Sequence, residues 1–274
     1  MIGTGDSPGR YRPRPAASPA IARRAAMAGR AVALLLVALP CMATAQERLL
    51  PRSSLPGLGS ADPRQPVDLK AAPWRGLGRV QLEIGGHCTG ALIGPRQVLT
   101  AAHCLVARRT RNLVQPSTVH FVLGYDRGSM VAHARVTSYR TDPSFVPASG
   151  GPASADWAVL TLDKPLGTAD RVLPLLRDTP IARTALMLGG YQQDRPEVLM
   201  ADTGCRVIGA VPAGAGRSML LHDCAGTRGV SGAPLLAQGP AGQWFVAGVA
   251  SRANAQAAMG AAVPAMAITA APGQ

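Results

Sequence analysis

Residues 98–104 read VLTAAHC, a small apolar run that ends in a histidine followed by a cysteine. Three roles are open to His103: a core residue, a metal ligand or a catalytic base. A catalytic base needs a carboxylate that orients it and a nucleophile that it deprotonates. Both partners must come from other parts of the chain, so the meaning of His103 depends on what surrounds this stretch.

Short strand-like runs separated by Gly and Pro extend on both sides of this stretch, from Trp74 onward. This texture is typical of an all-β sandwich or barrel. The Ala-rich residues 262–270 are the one candidate for a short helix outside the N-terminal segment. The clearest strand-like runs are GRVQLEI, CTGALIG, RQVLTAA, TVHFVLGY, DWAVLTLD, TALMLGGY and WFVAGVAS.

The charge balance of the 274-residue chain is strongly basic, with 28 Lys and Arg against 15 Asp and Glu. Six arginines and one aspartate lie in residues 1–45, and no run of more than two basic residues follows them. A groove for nucleic acid combines clustered cations with interleaved aromatic side chains. Aromatic residues make up only 4% of this chain, so we expect no nucleic-acid partner.

Residues 1–45 have the features of an N-terminal extension and signal peptide. The apolar run AVALLLVALP follows Arg30, and Ala43-Thr44-Ala45 predicts cleavage before Gln46. The run is too short to span a bilayer, so no stable membrane anchor should remain after cleavage. Two alternatives stay open, a start at Met27 and an Arg-rich organellar transit peptide. The expected location is secreted or periplasmic.

The cysteine count agrees with export. Cleavage removes Cys41 and leaves an even number of cysteines, which favours disulfides in an oxidising compartment. No C-x-x-C pair supports the alternative of a zinc site. Of three possible connectivities, the local one closes two short loops, each worth about 3 kcal/mol. That connectivity pairs Cys88 with Cys104 and Cys205 with Cys224.

A candidate nucleophile lies in GVSGAP, residues 229–234. Glycines on both sides of Ser231 permit a sharp turn that exposes the hydroxyl and directs the N–H groups of Gly229 and Ser231 to one point. The alternative is an ordinary turn serine. The second glycine of the G-x-S-x-G elbow is missing, which argues against an α/β-hydrolase.

A candidate carboxylate opens the apolar run ADWAVLTLDKPL. Asp156 would lie at the mouth of a buried strand, where a charge is costly unless it is paired or hydrogen-bonded. A histidine N–H would satisfy it, whereas the alternative is a strand cap or a solvated acid. Asp163, before Lys164-Pro165, has the context of a turn residue.

The order His103, Asp156, Ser231 and the segments CTGALIGPRQVLTAAHCL, DWAVLTL and GVSGAP resemble the chymotrypsin/trypsin-like serine proteases. The resemblance covers roughly residues 74–267. It implies an all-β fold of two six-stranded antiparallel β-barrels, the chymotrypsin-like double barrel, with the active site at their junction. The barrels would span 74–165 and 166–274. Residues 46–73 are rich in Pro, Arg, Ser and Gly and lack periodicity, which predicts a flexible propeptide or N-terminal extension before them.

The resemblance also implies roles for individual residues. His103 would be the general base and acid, Asp156 its orienting carboxylate and Ser231 the nucleophile. The N–H groups of Gly229 and Ser231 would form the oxyanion hole. The implied substrate-binding residues are Ala225, Arg228 and Ser251.

The chain departs from the family pattern around the nucleophile. Val230 stands where animal members carry the aspartate that pairs with a new N-terminus, and no Ile-Val-Gly-Gly-like segment is present. The sequence is closer to the bacterial secreted branch with glutamyl endopeptidases, but Ala250 replaces the histidine of its acid-specific members. Ala225 likewise replaces the aspartate that selects Arg or Lys. Arg228 and Arg252 favour an acidic residue near the cleaved bond.

The sequence thus predicts a secreted serine endopeptidase that cuts polypeptides through an acyl-enzyme and uses no cofactor or metal. We expect a monomer. Two alternatives remain: a catalytically silent homologue that binds a partner, and an esterase with the same three residues. The other histidines show no ligand spacing and receive no functional role: His87, His120, His133 and His222.

Overall fold

A computed structural model describes residues 55–254 and 258–268 of the chain. The predicted signal segment and its cleavage site lie outside these ranges. Within them the chain is built of strands joined by turns and short 3₁₀ segments. No described helix combines the length and the apolar composition needed to cross a membrane.

The first six-stranded sheet closes on itself as an antiparallel barrel in the order β2-β3-β4-β7-β6-β5. Its two ends meet where β2 pairs with β5, with Val80 opposite Phe121. The strands are β2 (Leu77–Leu82), β3 (His87–Gly94), β4 (Gln97–Thr100), β5 (Val119–Leu123), β6 (Ala132–Thr141) and β7 (Ala158–Leu162).

The core of this barrel follows from the strand sequences. In VHFVL of β5, Phe121 and Leu123 are completely buried, whereas His120, the residue before Phe121, is half-buried. Leu160 of β7 is also fully buried, in a strand that is paired on both sides by β4 and β6. Inward-facing side chains two residues apart fill the barrel, as period-two alternation requires.

The second sheet has six main antiparallel strands and a short additional one, β1 (Gln65–Pro66). β8 pairs with both β11 and β9, so this sheet also curls back on itself. The prediction of an all-β fold with two six-stranded antiparallel sheets is confirmed. The main strands are β8 (Ala185–Gln192), β9 (Arg195–Pro212), β10 (Ser218–His222), β11 (Pro234–Gln238), β12 (Trp244–Ala253) and β13 (Gly260–Pro264).

The described residues include five 3₁₀ segments outside the strands. Two of them matter for the site: Ala102–Leu105 follows β4, and Ala153–Ala155 precedes β7. Because β4 and β7 are neighbours in the first barrel, these two 3₁₀ segments are joined to adjacent strands. The others are Trp74–Gly76, Pro116–Thr118 and Ala265–Ala267.

Both local disulfides are present. Cys88 on β3 is bonded to Cys104, and Cys205 on β9 is bonded to Cys224. The first bond ties β3 to the 3₁₀ segment that carries His103. The connectivity expected from loop length is therefore found in the structure.

The structure differs from the expected flexible segment over 46–73. In its described part, β1 pairs with β9, and Leu55 packs with Ala225. Arg64 is only 4% exposed. Its guanidinium donates to Asp62 and Asp194 over 2.7 and 2.6 Å. The polar, Pro-rich composition suggested an unstructured extension, but these long-range contacts give residues 55–73 a fixed place in the fold.

The helix expected over residues 262–270 is also absent from the described part of that range. Residues 260–264 form β13, which pairs with β10 and β12, and only Ala265–Ala267 turn as a 3₁₀ segment. Strand pairing on both sides supplies backbone hydrogen bonds that outweigh the helical propensity of alanine.

The buried Arg64 cluster gives a stability prediction. Arg64→Ala should lower the free energy of unfolding by about 3 kcal/mol, because it leaves Asp194 without its cation in a buried site. Arg135→Ala, which removes an exposed partner of Glu83, should cost less than about 1 kcal/mol. Guanidinium chloride denaturation measures both values. Equal losses in the two variants would contradict a fixed N-terminal segment.

Candidate active site

The centre of the site is a completely buried carboxylate, Asp156, which is 0% exposed. It lies between the 3₁₀ segment Ala153–Ala155 and β7. Asp156 Oδ1 accepts the backbone N–H of His103 at 2.8 Å, and Oδ2 lies 2.7 Å from His103 Nδ1. An ionised carboxylate accepts only, so Nδ1 carries the hydrogen and Nε2 is left for other chemistry.

A second-barrel residue completes the environment of this carboxylate. Ser251 on β12 donates its hydroxyl to Asp156 Oδ2 at 2.5 Å. Burial raises the pKa of Asp156, but the hydrogen bonds and charge of His103, with the Ser251 hydroxyl, outweigh it and hold the pKa below its usual value. The acid therefore stays ionised inside the protein.

The Ser231 turn lies across from this pair. Gly229 adopts φ +96°, and a Cβ there would be 2.3 Å from the carbonyl oxygen of Tyr191. The N–H groups of Val230, Gly232 and Ala233 are all hydrogen-bonded within the protein. Among the described residues, those of Gly229 and Ser231 donate to no protein atom. Two free donors on one turn are what binding of an oxyanion requires.

Two contacts fix this turn without an ion pair. Val230 is 7% exposed and packs in the apolar cluster that contains Leu188 and Leu235. Thr89 on β3 donates its backbone N–H to the carbonyl of Ser231 at 2.9 Å and its hydroxyl to the carbonyl of Gly229 at 3.0 Å. Burial of Val230 thus stabilises the turn at the position where animal members of the family carry an ion-paired aspartate.

Two adjoining cavities meet at Ser231. The outer groove, about 810 Å³, is lined by both His103 and Ser231. The second cavity, called the inner cavity below, has a volume of about 370 Å³ and is lined by Ser231, Val230 and Ala250. No hydrogen bond joins the Ser231 hydroxyl to His103 in the described structure. Such catalytic bonds commonly tighten only when substrate is bound.

The predicted substrate-binding residues have different places. Arg228 and Ser251 line the inner cavity. Ala225 is completely buried, packs with Leu55 and Leu58, and is not among the residues lining either described cavity. The structure thus brings Arg228 and Ser251 together with the three predicted catalytic residues. Ala225 is buried in the core and does not line the site.

Sequence reasoning missed two residues of this site. Thr89 is a polar residue inside the buried apolar run CTGALIG. A polar side chain in such a run is the feature of the sequence that could have identified it as part of the site. His222 ends β10 and lines the inner cavity. The sequence assigned it no role, because the pairing register of β10, which places His222 in the same cavity as Ser231, cannot be read from the local sequence.

His222 is unusual in its surroundings. It is 2% exposed, and neither ring nitrogen has a hydrogen-bond partner within the described structure. Burial lowers its pKa to about 4, against a weak opposing effect of Asp223. The imidazole is therefore neutral at pH 7.

A metal site at His103 is not compatible with these bonds. His103 and the sulfurs of Cys88 and Cys104 have ligand atoms within 4.8 Å of one another. Both sulfurs are joined in a disulfide. Cysteine binds a metal as a thiolate, and this disulfide-bonded pair has no thiolate to supply.

Comparison with known proteins agrees with this fold. The family model described as Trypsin matches residues 65–271. That match covers most of the chain, which therefore belongs to the trypsin family of serine proteases and is a trypsin-family peptidase.

One curated protein and one solved structure are also similar to this chain. A glutamyl endopeptidase of Bacillus licheniformis is 26% identical over 141 residues, covering 50% of this chain and 42% of that protein. The match thus spans less than half the length of this relative. A solved Glu endopeptidase structure, in complex with MPD, is 21% identical with a TM-score of 0.64, covering 76% of this chain and 93% of that chain. The second likeness confirms the chymotrypsin-like fold.

The pKa of His222 predicts a pH-dependent stability. The unfolded histidine, with a pKa near 6.5, binds a proton that the folded one excludes until about pH 4. Stability should therefore be complete above pH 6.5 and fall as the pH drops toward 4, by about 2–3 kcal/mol from this group.

The difference in free energy of unfolding between wild type and His222→Gln measures this contribution. Denaturation at pH 7 and at pH 4.5 should show that wild type loses about 2–3 kcal/mol more than the variant. Parallel losses in the two proteins would mean that His222 is not held neutral by burial.

Proposed function

We propose that the chain is an exported serine endopeptidase that hydrolyses peptide bonds through Ser231, His103 and Asp156. The observation that carries the proposal is the buried carboxylate of Asp156. It binds both the backbone N–H and the ring Nδ1 of His103, while His103 and Ser231 line one groove. This arrangement leaves His103 Nε2 as an acceptor for the proton of the Ser231 hydroxyl.

In the first step Ser231 Oγ attacks the carbonyl carbon of the substrate, and its proton passes to His103 Nε2. The imidazolium that forms is stabilised by Asp156, which remains ionised throughout. His103 then gives the proton to the departing amine, and the substrate acyl group stays on Ser231 as an ester.

The negative charge of the tetrahedral intermediate is met by the N–H groups of Gly229 and Ser231. Neither N–H group donates to a protein atom in the described structure. Such donors contribute because they are already oriented before charge develops. Water then repeats the sequence: His103 takes its proton, hydroxide attacks the ester, and Ser231 recovers its hydrogen as the acid product leaves.

Export is the second part of the proposal. Two disulfides tie the described chain, and such bonds persist in oxidising compartments outside the cytosol. The sequence of residues 1–45 supplies the matching signal. Together they favour a secreted or periplasmic protein that meets polypeptide substrates there.

Labelling with a fluorophosphonate probe tests the nucleophile. The probe should form a covalent adduct on Ser231, located by peptide mass spectrometry, and Ser231→Ala should remove it. His103→Ala should slow labelling on the order of 10⁴-fold or more, because the base is lost. Ser149→Ala is the matched control, since Ser149 lines the same groove and should not affect the adduct.

Absence of a Ser231-dependent adduct in folded protein would contradict the proposal and favour a silent binding homologue. Labelled protein that cleaves ester substrates but no peptide in a peptide library would favour an esterase instead.

The geometry of the Ser231 turn gives a further prediction. Gly229→Ala would force a side chain against the Tyr191 carbonyl and should lower the labelling rate at least about 100-fold by displacing an oxyanion donor. Gly128 has a similar φ of +86° with open space around it. Gly128→Ala should cost about 1–2 kcal/mol of stability and leave labelling unchanged. Equal labelling of both variants would show that this turn does not bind the oxyanion.

A further inference from the structure

The direction of the Gly229 N–H depends on the orientation of a single peptide group. The carbonyl oxygen of Arg228 and the N–H of Gly229 belong to the same trans peptide, so they point in opposite directions. The Arg228 carbonyl accepts the backbone N–H of Gln193 at 2.7 Å. Because the peptide is planar, this hydrogen bond also fixes the direction of the Gly229 N–H on its other side.

The donor of this hydrogen bond, Gln193, lies in the short turn between β8 and β9. The residues just before it contact the same stretch of chain. A Cβ at Gly229 would lie 2.3 Å from the Tyr191 carbonyl oxygen and 3.1 Å from Gln192 Cα. The completely buried Gln192 accepts the backbone N–H of Thr227 on its Oε1 at 2.8 Å. The position of the β8–β9 turn therefore determines the path of the chain that leads into the Ser231 turn.

A buried cation from the N-terminal segment holds the β8–β9 turn. The Arg64 guanidinium donates to Gln192 Oε1 at 2.7 Å and to the Asp194 carboxylate at 3.1 and 2.6 Å. These acceptors lie on either side of Gln193 in the chain. Asp62 accepts Arg64 Nε and Nη2 at 2.8 and 2.7 Å, which orients the guanidinium. The Arg64 side chain is only 1% exposed, so water does not replace these contacts.

The supports of the Ser231 turn described above act at other peptide groups. Thr89 binds the carbonyls of Gly229 and Ser231, which belong to the peptides after those residues. Burial of Val230 likewise holds the chain after Gly229. The peptide before Gly229, which carries its N–H, is bound to the turn that Arg64 holds.

We propose that Arg64 is a positioning residue for the oxyanion hole. Its buried guanidinium holds the β8–β9 turn, and this turn keeps the Arg228–Gly229 peptide in the orientation that directs the Gly229 N–H to the oxyanion. The inference rests on the proposed peptidase function, because Arg64 acts through the oxyanion donor of Gly229. It gives the segment before the first barrel a part in catalysis.

Kinetics of Arg64→Ala test this role. An oxyanion donor stabilises the transition state more than bound substrate, so the variant should lower kcat and the rate of fluorophosphonate labelling at least about tenfold and leave KM within about twofold. Leu123→Ala is the matched control, because it lowers stability by emptying part of the first-barrel core. Under conditions where circular dichroism shows both variants folded, Leu123→Ala should label at the wild-type rate.

A second background separates positioning from loss of stability. Gly229→Ala displaces the same donor, so adding Arg64→Ala to it should slow labelling by less than about twofold further. Multiplicative losses in the double variant would show that Arg64 does not act through Gly229.

Arg64→Lys provides the test if Arg64→Ala fails to fold. Lysine keeps the buried positive charge but lacks the planar fork that reaches Gln192 and Asp194 together. This variant should lower the labelling rate at least about threefold and leave KM within about twofold. Labelling at the wild-type rate would contradict the positioning role.

The outcomes separate the two proposals. Folded Arg64→Ala that labels at the wild-type rate, or that slows no more than Leu123→Ala, would overturn the role of Arg64 and leave the peptidase function standing. Wild type that forms no Ser231-dependent adduct would overturn the proposed function itself.

Discussion

The arrangement of this protein depends on one charge that is kept away from water. Asp156 has no exposed surface and survives as a carboxylate because three donors bind it: two from His103 and one from Ser251. A buried charge without such partners would be strongly destabilising. The same contacts that satisfy the acid fix the orientation of the histidine ring, so stability and chemistry have one structural cause.

The second consequence is that neither sheet holds the site alone. Asp156 and His103 come from the first barrel, whereas Ser251 and Ser231 come from the second sheet. Thr89 crosses in the other direction, from β3 to the carbonyls of Gly229 and Ser231. Val230 anchors the turn by burial rather than by an ion pair. An apolar anchor of this kind needs no newly cut N-terminus to complete the turn, so its geometry does not depend on such an activation event.

The parts of the fold and site that the sequence could reveal are those with local signals. The texture of short strands and turns predicted an all-β fold, and the family resemblance implied its division into two. VLTAAHC, the run after Asp156 and GVSGAP marked the residues that the structure now brings together. Thr89 and His222 were missed because their partners lie on strands far along the chain. The contacts of residues 55–73 gave no local signal for the same reason, since Arg64 and its partner Asp194 are 130 residues apart in the sequence. Pairing of β13 on both sides likewise overrode its alanine content.

A crystal structure with a peptide boronate tests the central claim, that the buried Asp156–His103 pair and the Ser231 turn form one preorganised acyl-transfer site. We expect a covalent bond from Ser231 Oγ to boron. One boronate oxygen should lie within about 2.7–3.1 Å of the backbone nitrogens of both Gly229 and Ser231, with His103 still bound to Asp156. A boronate that is not attached to Ser231, or whose oxygen faces solvent while His103 has left Asp156, would contradict this account.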